Sequence, residues 1–152
     1  MKSVKKEYVR DKRSPKPLNR SVSKVMSSNK AMNTKPELKL RRAIWNKGLR
    51  GYRLHWKVLP GSPDIAFSKQ KVAIFVNGCF WHRCPICNLT LPKTNSIFWK
   101  DKFNRNVERD KRKSKELKKA GWISIVIWEC QVKSNLENCV YKIQKIVSKN
   151  LR

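Results

Sequence analysis

Lys71-Val-Ala-Ile-Phe-Val-Asn-Gly-Cys-Phe-Trp-His-Arg-Cys-Pro-Ile-Cys87 passes from a strand to a dense chemical loop within seventeen residues. Val72 to Val76 is wholly apolar and rich in β-branched residues, the pattern of a strand buried on both faces. Asn77-Gly78 ends the run with residues that tolerate positive φ. Beyond it Cys79, Cys84 and Cys87 stand in a C-x4-C-x2-C pattern, interleaved with Phe80, Trp81 and His82. A buried strand therefore delivers thiols, large aromatic rings and a titratable base to one edge of a sheet.

Working outward, Asp64 to Phe67 reads as a preceding strand and Ser68 to Lys71 as the turn between the two. Further upstream, Tyr52, Leu54, Trp56 and Val58 alternate with Arg53, His55 and Lys57, which predicts a half-buried strand up to the Pro60-Gly-Ser-Pro63 break. Thr34-Lys-Pro-Glu37 has capping-box spacing and opens a helix over 35–47, with Leu40, Ala43 and Ile44 at helical period. Downstream, Ser96 is expected to cap a helix through Lys119 with Ile97, Phe103, Val107 and Leu117 facing inward. Trp122 to Trp128 is a further buried strand, and Ser134-x-x-Glu137 opens a last helix with Leu136, Val140, Ile143 and Val147 on one side. The order α-β-β-β-α-β-α predicts a single α/β domain, a mixed sheet flanked by helices, over 34–152. Residues 1–33 form a basic arm, either disordered until it meets a duplex or simply a solvated tail.

Charge narrows the partners. The 152 residues hold 37 Lys+Arg against 10 Asp+Glu, a net +27, far above the magnitude of ~2–8 that keeps a small domain soluble. Eleven Lys/Arg against two acids fall within residues 1–35. Such a chain wants a polyanion, and nucleic acid fits best. A membrane is disfavoured: the basic segments have no continuous apolar face, and no apolar run nears the ~18 residues of a spanning helix. With no apolar leader at the N-terminus, a cytoplasmic location is expected. In a reducing compartment, clustered thiols point to a metal rather than to disulfides.

A closed tetrahedral zinc site needs a fourth ligand beside Cys79, Cys84 and Cys87; Cys130, just past a core strand, is the best placed, with His82 as the alternative. Cys139 reads as a core thiol. Asp64 follows a turn and Glu37 completes a capping box, so each has a structural reading beside a catalytic one. The other histidine, His55, on the polar side of its strand, reads as solvated, while Glu129 is placed to bond around a ligand. Phe80 and Trp81, adjacent in a polar loop, cannot both enter one core unless the loop is irregular. At least one is expected to be exposed, where it could stack on bases or wedge between base pairs.

Gly61-Ser-Pro-Asp64, Phe75-Val-Asn-Gly-Cys-Phe-Trp-His82, Pro92-Lys-Thr-Asn95, Phe98-Trp99, Asn106-x-x-Arg-Asp110, Gly121-Trp122 through Trp128-Glu-Cys130, and the upstream Thr34-Lys-Pro-Glu37 together resemble the very-short-patch-repair DNA mismatch endonucleases. The resemblance covers about residues 20–132. It implies a restriction-endonuclease-like fold, a structural zinc, and Mg²⁺-dependent nicking of one DNA strand 5′ to the thymine of a T:G mismatch, the lesion left by deaminated 5-methylcytosine. By position it implies that Asp64 and the backbone carbonyl of Val76 hold the catalytic Mg²⁺, that His82 is the catalytic histidine, and that Glu37 acts through water on the metal. Phe80, Trp81 and Trp99 match the aromatics that enter the duplex, Lys102 and Asn106 match positions facing the mismatched pair, and Met26 matches a minor-groove contact. Two departures stand out. Asn77 replaces a second active-site histidine and can bond a phosphate or water but carry no proton. Cys84 replaces a family histidine in the zinc loop, with Cys87 one residue further along, so Cys79, Cys84, Cys87 and Cys130 make a four-thiolate set. A monomer acting on double-stranded DNA is expected, with a repair protein or methyltransferase as candidate partners. A related endonuclease without mismatch preference and a non-enzymatic zinc-stabilised DNA-binding protein are the alternatives.

Overall fold

The computed structural model describes Pro17 and residues 19–150. Its elements are α1 (Arg20–Ser27), α2 (Lys35–Asn46), β1 (Tyr52–Leu54), β2 (Ile65–Phe67), β3 (Val72–Asn77), α3 (Ser96–Lys119), β4 (Ile123–Trp128), α4 (Glu129–Ser134) and α5 (Leu136–Lys149). The strands form one mixed sheet in the order β1-β2-β3-β4. β1, β2 and β3 make the expected antiparallel meander, with Leu54 opposite Ile65 and Ile65 opposite Ile74. β4 returns parallel to β3, Val72 opposite Ile123 and Asn77 opposite Trp128, so the chain between them must cross over, and α3 does so.

Strand alternation sends Ile65, Phe67, Val72, Ile74, Ile125 and Ile127 to one face, where Leu40 and Ile44 of α2, Val132 of α4 and Val140, Ile143 and Val147 of α5 complete the main core. Cys139 is buried in that core, as expected. α3 packs against β4, buries Trp99, Phe103 and Leu117, and leaves a cleft against Phe75, Ser124 and Val126 of the sheet. Among the described residues no helix is long and apolar enough to cross a membrane.

Several expectations need correction. The strand predicted through Val58 stops at Leu54, because His55 adopts φ 44°, a left-handed conformation that ends the extended run; Leu54 and Val58 are exposed. Ser96 does not cap α3: Asn95 does, in the left-handed region and without a side-chain bond, and Ile97 in the first turn is exposed. Asn135 rather than Ser134 caps the last helix, accepting from the Asn138 N–H, and the short α4 precedes it. Within the basic arm, Asn19 accepts the Val22 N–H and starts α1, which buries none of its residues. The disorder expected of residues 1–16 lies outside the described residues.

Candidate active site

The C-terminal end of β3 opens into a cleft of about 1170 Å³, lined by Glu37 of α2, His55, Asp64, Val76, Asn77, Trp81 and His82, and by Asn106, Asp110 and Lys113 of α3. Two local features shape it. Asp64 sits one residue ahead of β2, so its carboxylate reaches past the end of the β2–β3 ladder and Oδ2 accepts the Val76 N–H at 2.7 Å. Gly61, at φ +82°, lets the preceding turn fold closely: a Cβ there would lie 3.1 Å from the Phe75 ring and 3.4 Å from Lys113 Cβ.

Burial pushes the Asp64 carboxyl up to about 6, further raised by Glu37 and opposed by the Val76 N–H, His55 and Arg41. The neighbours form one connected group. His55 Nδ1 lies 3.6 Å from Asp64 Oδ1, and its Nε2 lies 3.7 Å from Glu37 Oε2. Glu37 is almost fully buried; Oε1 accepts the Thr34 hydroxyl at 2.8 Å and Oε2 the Asn33 N–H at 2.8 Å, so the capping-box glutamate reaches one residue beyond its usual partner. Arg41, one turn along α2, lies 3.5 Å from Glu37 Oε2 and bonds Asn33 Oδ1 at 2.6 Å. The reading of His55 as a solvated surface group is therefore wrong: it sits between two carboxylates.

On the opposite wall, His82 Nδ1 meets Asp110 Oδ2 at 2.5 Å. That contact orients the ring and leaves Nε2 for exchange with a ligand. Asn106, four residues before Asp110, donates to the Trp81 carbonyl at 3.0 Å. Thus α3 fixes the backbone and the base of the Phe80-Trp81-His82 segment from one face, as i, i+4 spacing allows. The residue-by-residue reading gave no role to Asp110 or Arg41 and took His55 as solvated. Only helical spacing, Asp110 from Asn106 and Arg41 from Glu37, offered a signal for two of them.

The aromatics differ from expectation. Phe80 and Trp81 are half-buried and Trp99 is buried, so none of the three is exposed. Phe80 lies 5.1 Å from Trp81, 5.6 Å from Trp99 and 5.0 Å from Phe103, edge to face. This separate cluster under the loop resolves the crowding of two adjacent rings. Lys102 Nζ lies 5.5 Å over the Trp81 ring. Met26 is half-buried on α1, and the cleft lining on that side begins at Ser28.

Beneath the loop, the Sγ atoms of Cys79, Cys84, Cys87 and Cys130 all lie within 4.8 Å of one another. Cys84 and Cys130 Sγ are 3.8 Å apart, and a tetrahedral zinc with ~2.3 Å bonds needs about that spacing. Burial alone would raise the Cys84 thiol, but the backbone N–H groups of Cys87 and Ile86 and the thiols of Cys130 and Cys79 bring it below its ordinary value. The four thiols fit a closed metal site. Cys130 comes from the first turn of α4, so a metal there ties the loop to the strand ending at Trp128. His82 faces Asp110 instead and is not the fourth member. Glu129 pairs with Lys133 at 2.6 Å.

The chain is similar to known proteins. The family model for DNA mismatch endonuclease Vsr matches residues 16–88. The chain is 42% identical over 120 residues to the type II nicking enzyme V.NaeI of Lentzea aerocolonigenes, covering 76% of this chain and 71% of that one. It is 38% identical over 123 residues to the type II nicking enzyme V.NmeAIP of Neisseria meningitidis, covering 81% and 86%. With the DNA mismatch endonuclease Vsr of Escherichia coli it shares 34% identity over 111 residues, 73% of this chain and 70% of that one.

Proposed function

Since the chain belongs to the Vsr family of DNA endonucleases, we propose that it nicks one strand of duplex DNA 5′ to the thymine of a T:G mismatch, with Mg²⁺ in the cleft and Zn²⁺ on the four cysteines. What supports this reading is one convergence. A carboxylate suited to a hard cation, an oriented histidine and an indole ring meet at the end of β3, in a protein of +27 net charge.

Asp64 and the Val76 carbonyl would hold the Mg²⁺, which when bound supplies Lewis-acid polarisation of the scissile phosphate. His82 takes a proton from the attacking water through Nε2, while Asp110 on Nδ1 holds the ring and stabilises the imidazolium that results. Glu37, held by Asn33 and Thr34, aligns the water. Asn77 bonds a phosphate oxygen or water and leaves His82 as the proton carrier at this end of the strand. The basic arm and the outer face of α3, both rich in Lys and Arg, supply sequence-blind phosphate affinity, and Met26 touches the minor groove. Trp81, with Phe80 and Trp99 behind it and Lys102 and Asn106 beside it, unstacks the duplex at the mismatch; unstacking costs a few kcal/mol and least at a mispaired step, so the wedge turns weak pairing into selectivity. Because the rings pack together in the free protein, Trp81 must leave some of these contacts to enter the duplex.

The test is a panel of labelled duplexes, T:G or matched, in varied flanking sequences, incubated with protein and Mg²⁺. Nicking 5′ to the thymine, retained binding but no nicking by Asp64→Ala and His82→Ala, and preference for T:G are expected. Equal nicking of matched duplexes would favour a site-specific nickase without mismatch preference, and robust nicking by Asp64→Ala would remove the proposed centre.

A further inference from the structure

The reaction above gives work to Asp64, Glu37 and His82 but none to His55. Yet that ring is held between two carboxylates, Nδ1 3.6 Å from Asp64 Oδ1 and Nε2 3.7 Å from Glu37 Oε2, with only 17% of the side chain exposed. One ligand atom from each of Glu37, His55 and Asp64 lies within 4.8 Å of the other two. We propose that His55 is a nitrogen ligand of the cleft cation: Nδ1 and Asp64 Oδ1 together take a first-row divalent ion such as Mn²⁺, and Glu37 orients the ring through Nε2. This rests on the reading of Asp64 as the metal carboxylate and adds a ligand to it.

The division of labour follows from bonds already made. Asp64 Oδ2 is engaged by the Val76 N–H, so Oδ1, the oxygen facing His55, is the one left for a cation. Adjacent ligands of an octahedral ion with ~2.2 Å bonds stand about 3 Å apart and opposite ones about 4.4 Å. The observed 3.6 Å lies between, within a small movement of either. Both oxygens of Glu37 already accept hydrogen bonds, which suits it to hold a ring N–H rather than to ligate. A carboxylate on the far nitrogen is the usual companion of a metal-bound histidine.

Arg41 fits the same scheme. Its Nη2 lies 3.3 Å from His55 Nε2, and a guanidinium can only donate, so this contact uses the Nε2 lone pair. A ring that ligates an ion through Nδ1 carries its proton on Nε2, where Glu37 and Asn33 Oδ1, 3.4 Å away, accept it. Arg41 can let go of the ring because Asn33 and Glu37 still hold it. Imidazole suits transition ions, whereas Mg²⁺ prefers oxygen and keeps its water, so His55 biases the cleft toward Mn²⁺.

The experiment titrates Mn²⁺, then Mg²⁺ by competition, into full-length protein with its cysteine site loaded, and records pulsed paramagnetic resonance of bound Mn²⁺. Wild type should bind Mn²⁺ about tenfold or more tighter than Mg²⁺ and show modulation from a directly bound ¹⁴N. His55→Asn, chosen because asparagine tolerates the positive φ, should lose that modulation and about tenfold in Mn²⁺ affinity with Mg²⁺ affinity changed less than about twofold. His82→Asn should keep the modulation. Absence of ¹⁴N coupling in wild type overturns the proposal, and that measurement needs no variant to fold; so does its persistence in His55→Asn, or an equal loss of both ions. If Asp64→Asn abolishes binding while His55→Asn changes nothing, only the His55 inference falls; if Asp64→Asn binds both ions normally, the Asp64 reading falls with it.

Discussion

Replacing Asp64 by asparagine should stabilise the protein in the absence of added divalent cation while abolishing nicking. The carboxyl titrates near 3.8 when exposed and is pushed up to about 6 by burial in the fold. Between these values the folded state holds a proton that the unfolded chain has released, so stability falls as pH rises from about 3.8 to about 6 and is flat above. Roughly two pK units at ~1.4 kcal/mol each make the ionised Asp64 cost about 3 kcal/mol at pH 8 and about half of that at pH 5. Solvent screening removes little of this, because the side chain is only 17% exposed. An asparagine does not ionise, and its amide oxygen can still accept the Val76 N–H. For a chain of this size 3 kcal/mol corresponds to a rise in Tm of about 6–12 °C. Thermal and urea unfolding of wild type and Asp64→Asn at pH 5 and pH 8, without added divalent ion, would measure it. The advantage of the variant should roughly double between the two pH values; a pH-independent difference, or a less stable variant at pH 8, would refute the argument. Addition of Mg²⁺ or Mn²⁺ should then raise the Tm of wild type more than that of the variant, since an ion that needs the carboxylate offsets its burial.

Asp110→Asn, which leaves His82 without its anionic partner, should cut single-turnover nicking on the order of 10²-fold or more and shift its pH profile, with duplex affinity unchanged. Cys130→Ser should lose the metal of the four-thiol site and melt earlier, whereas Cys139→Ser should keep it; metal analysis and Tm of the two variants reverse the ligand assignment if the pattern is the other way round. Trp81→Ala should lower the preference for T:G over T:A in competition binding more than it lowers matched-duplex affinity, whereas Trp99→Ala, buried against Phe80 and Phe103, should cost about 3–5 kcal/mol of stability. Deleting residues 1–20, which carry eight Lys/Arg, should weaken matched and mismatched binding alike and flatten the salt dependence of both.

Much of this architecture is written in one dimension. Periodicity alone marks the apolar β3, the Leu40–Ile44 face of α2 and the α5 stripe, because burial selects side chains at fixed spacing. The thiol cluster was legible too, since three cysteines within nine residues leave little else to explain them, and Cys130 follows a strand that pairs with the one before Cys79. The site's electrostatics were not. Glu37, His55 and Asp64 come from three separate segments, and only the β1–β2 pairing and the packing of α2 bring them together. His55 was misread because alternation predicts the polar side of a continuing strand, whereas one left-handed residue turns its ring inward. Asp110 lies 28 residues from His82, and nothing local signals their pairing. The two adjacent aromatics likewise found a second small core that requires α3 to lie over the loop. Local pattern records which side chains are buried; which titratable groups share a cleft depends on contacts between distant segments, and those exist only once the sheet and helices have packed.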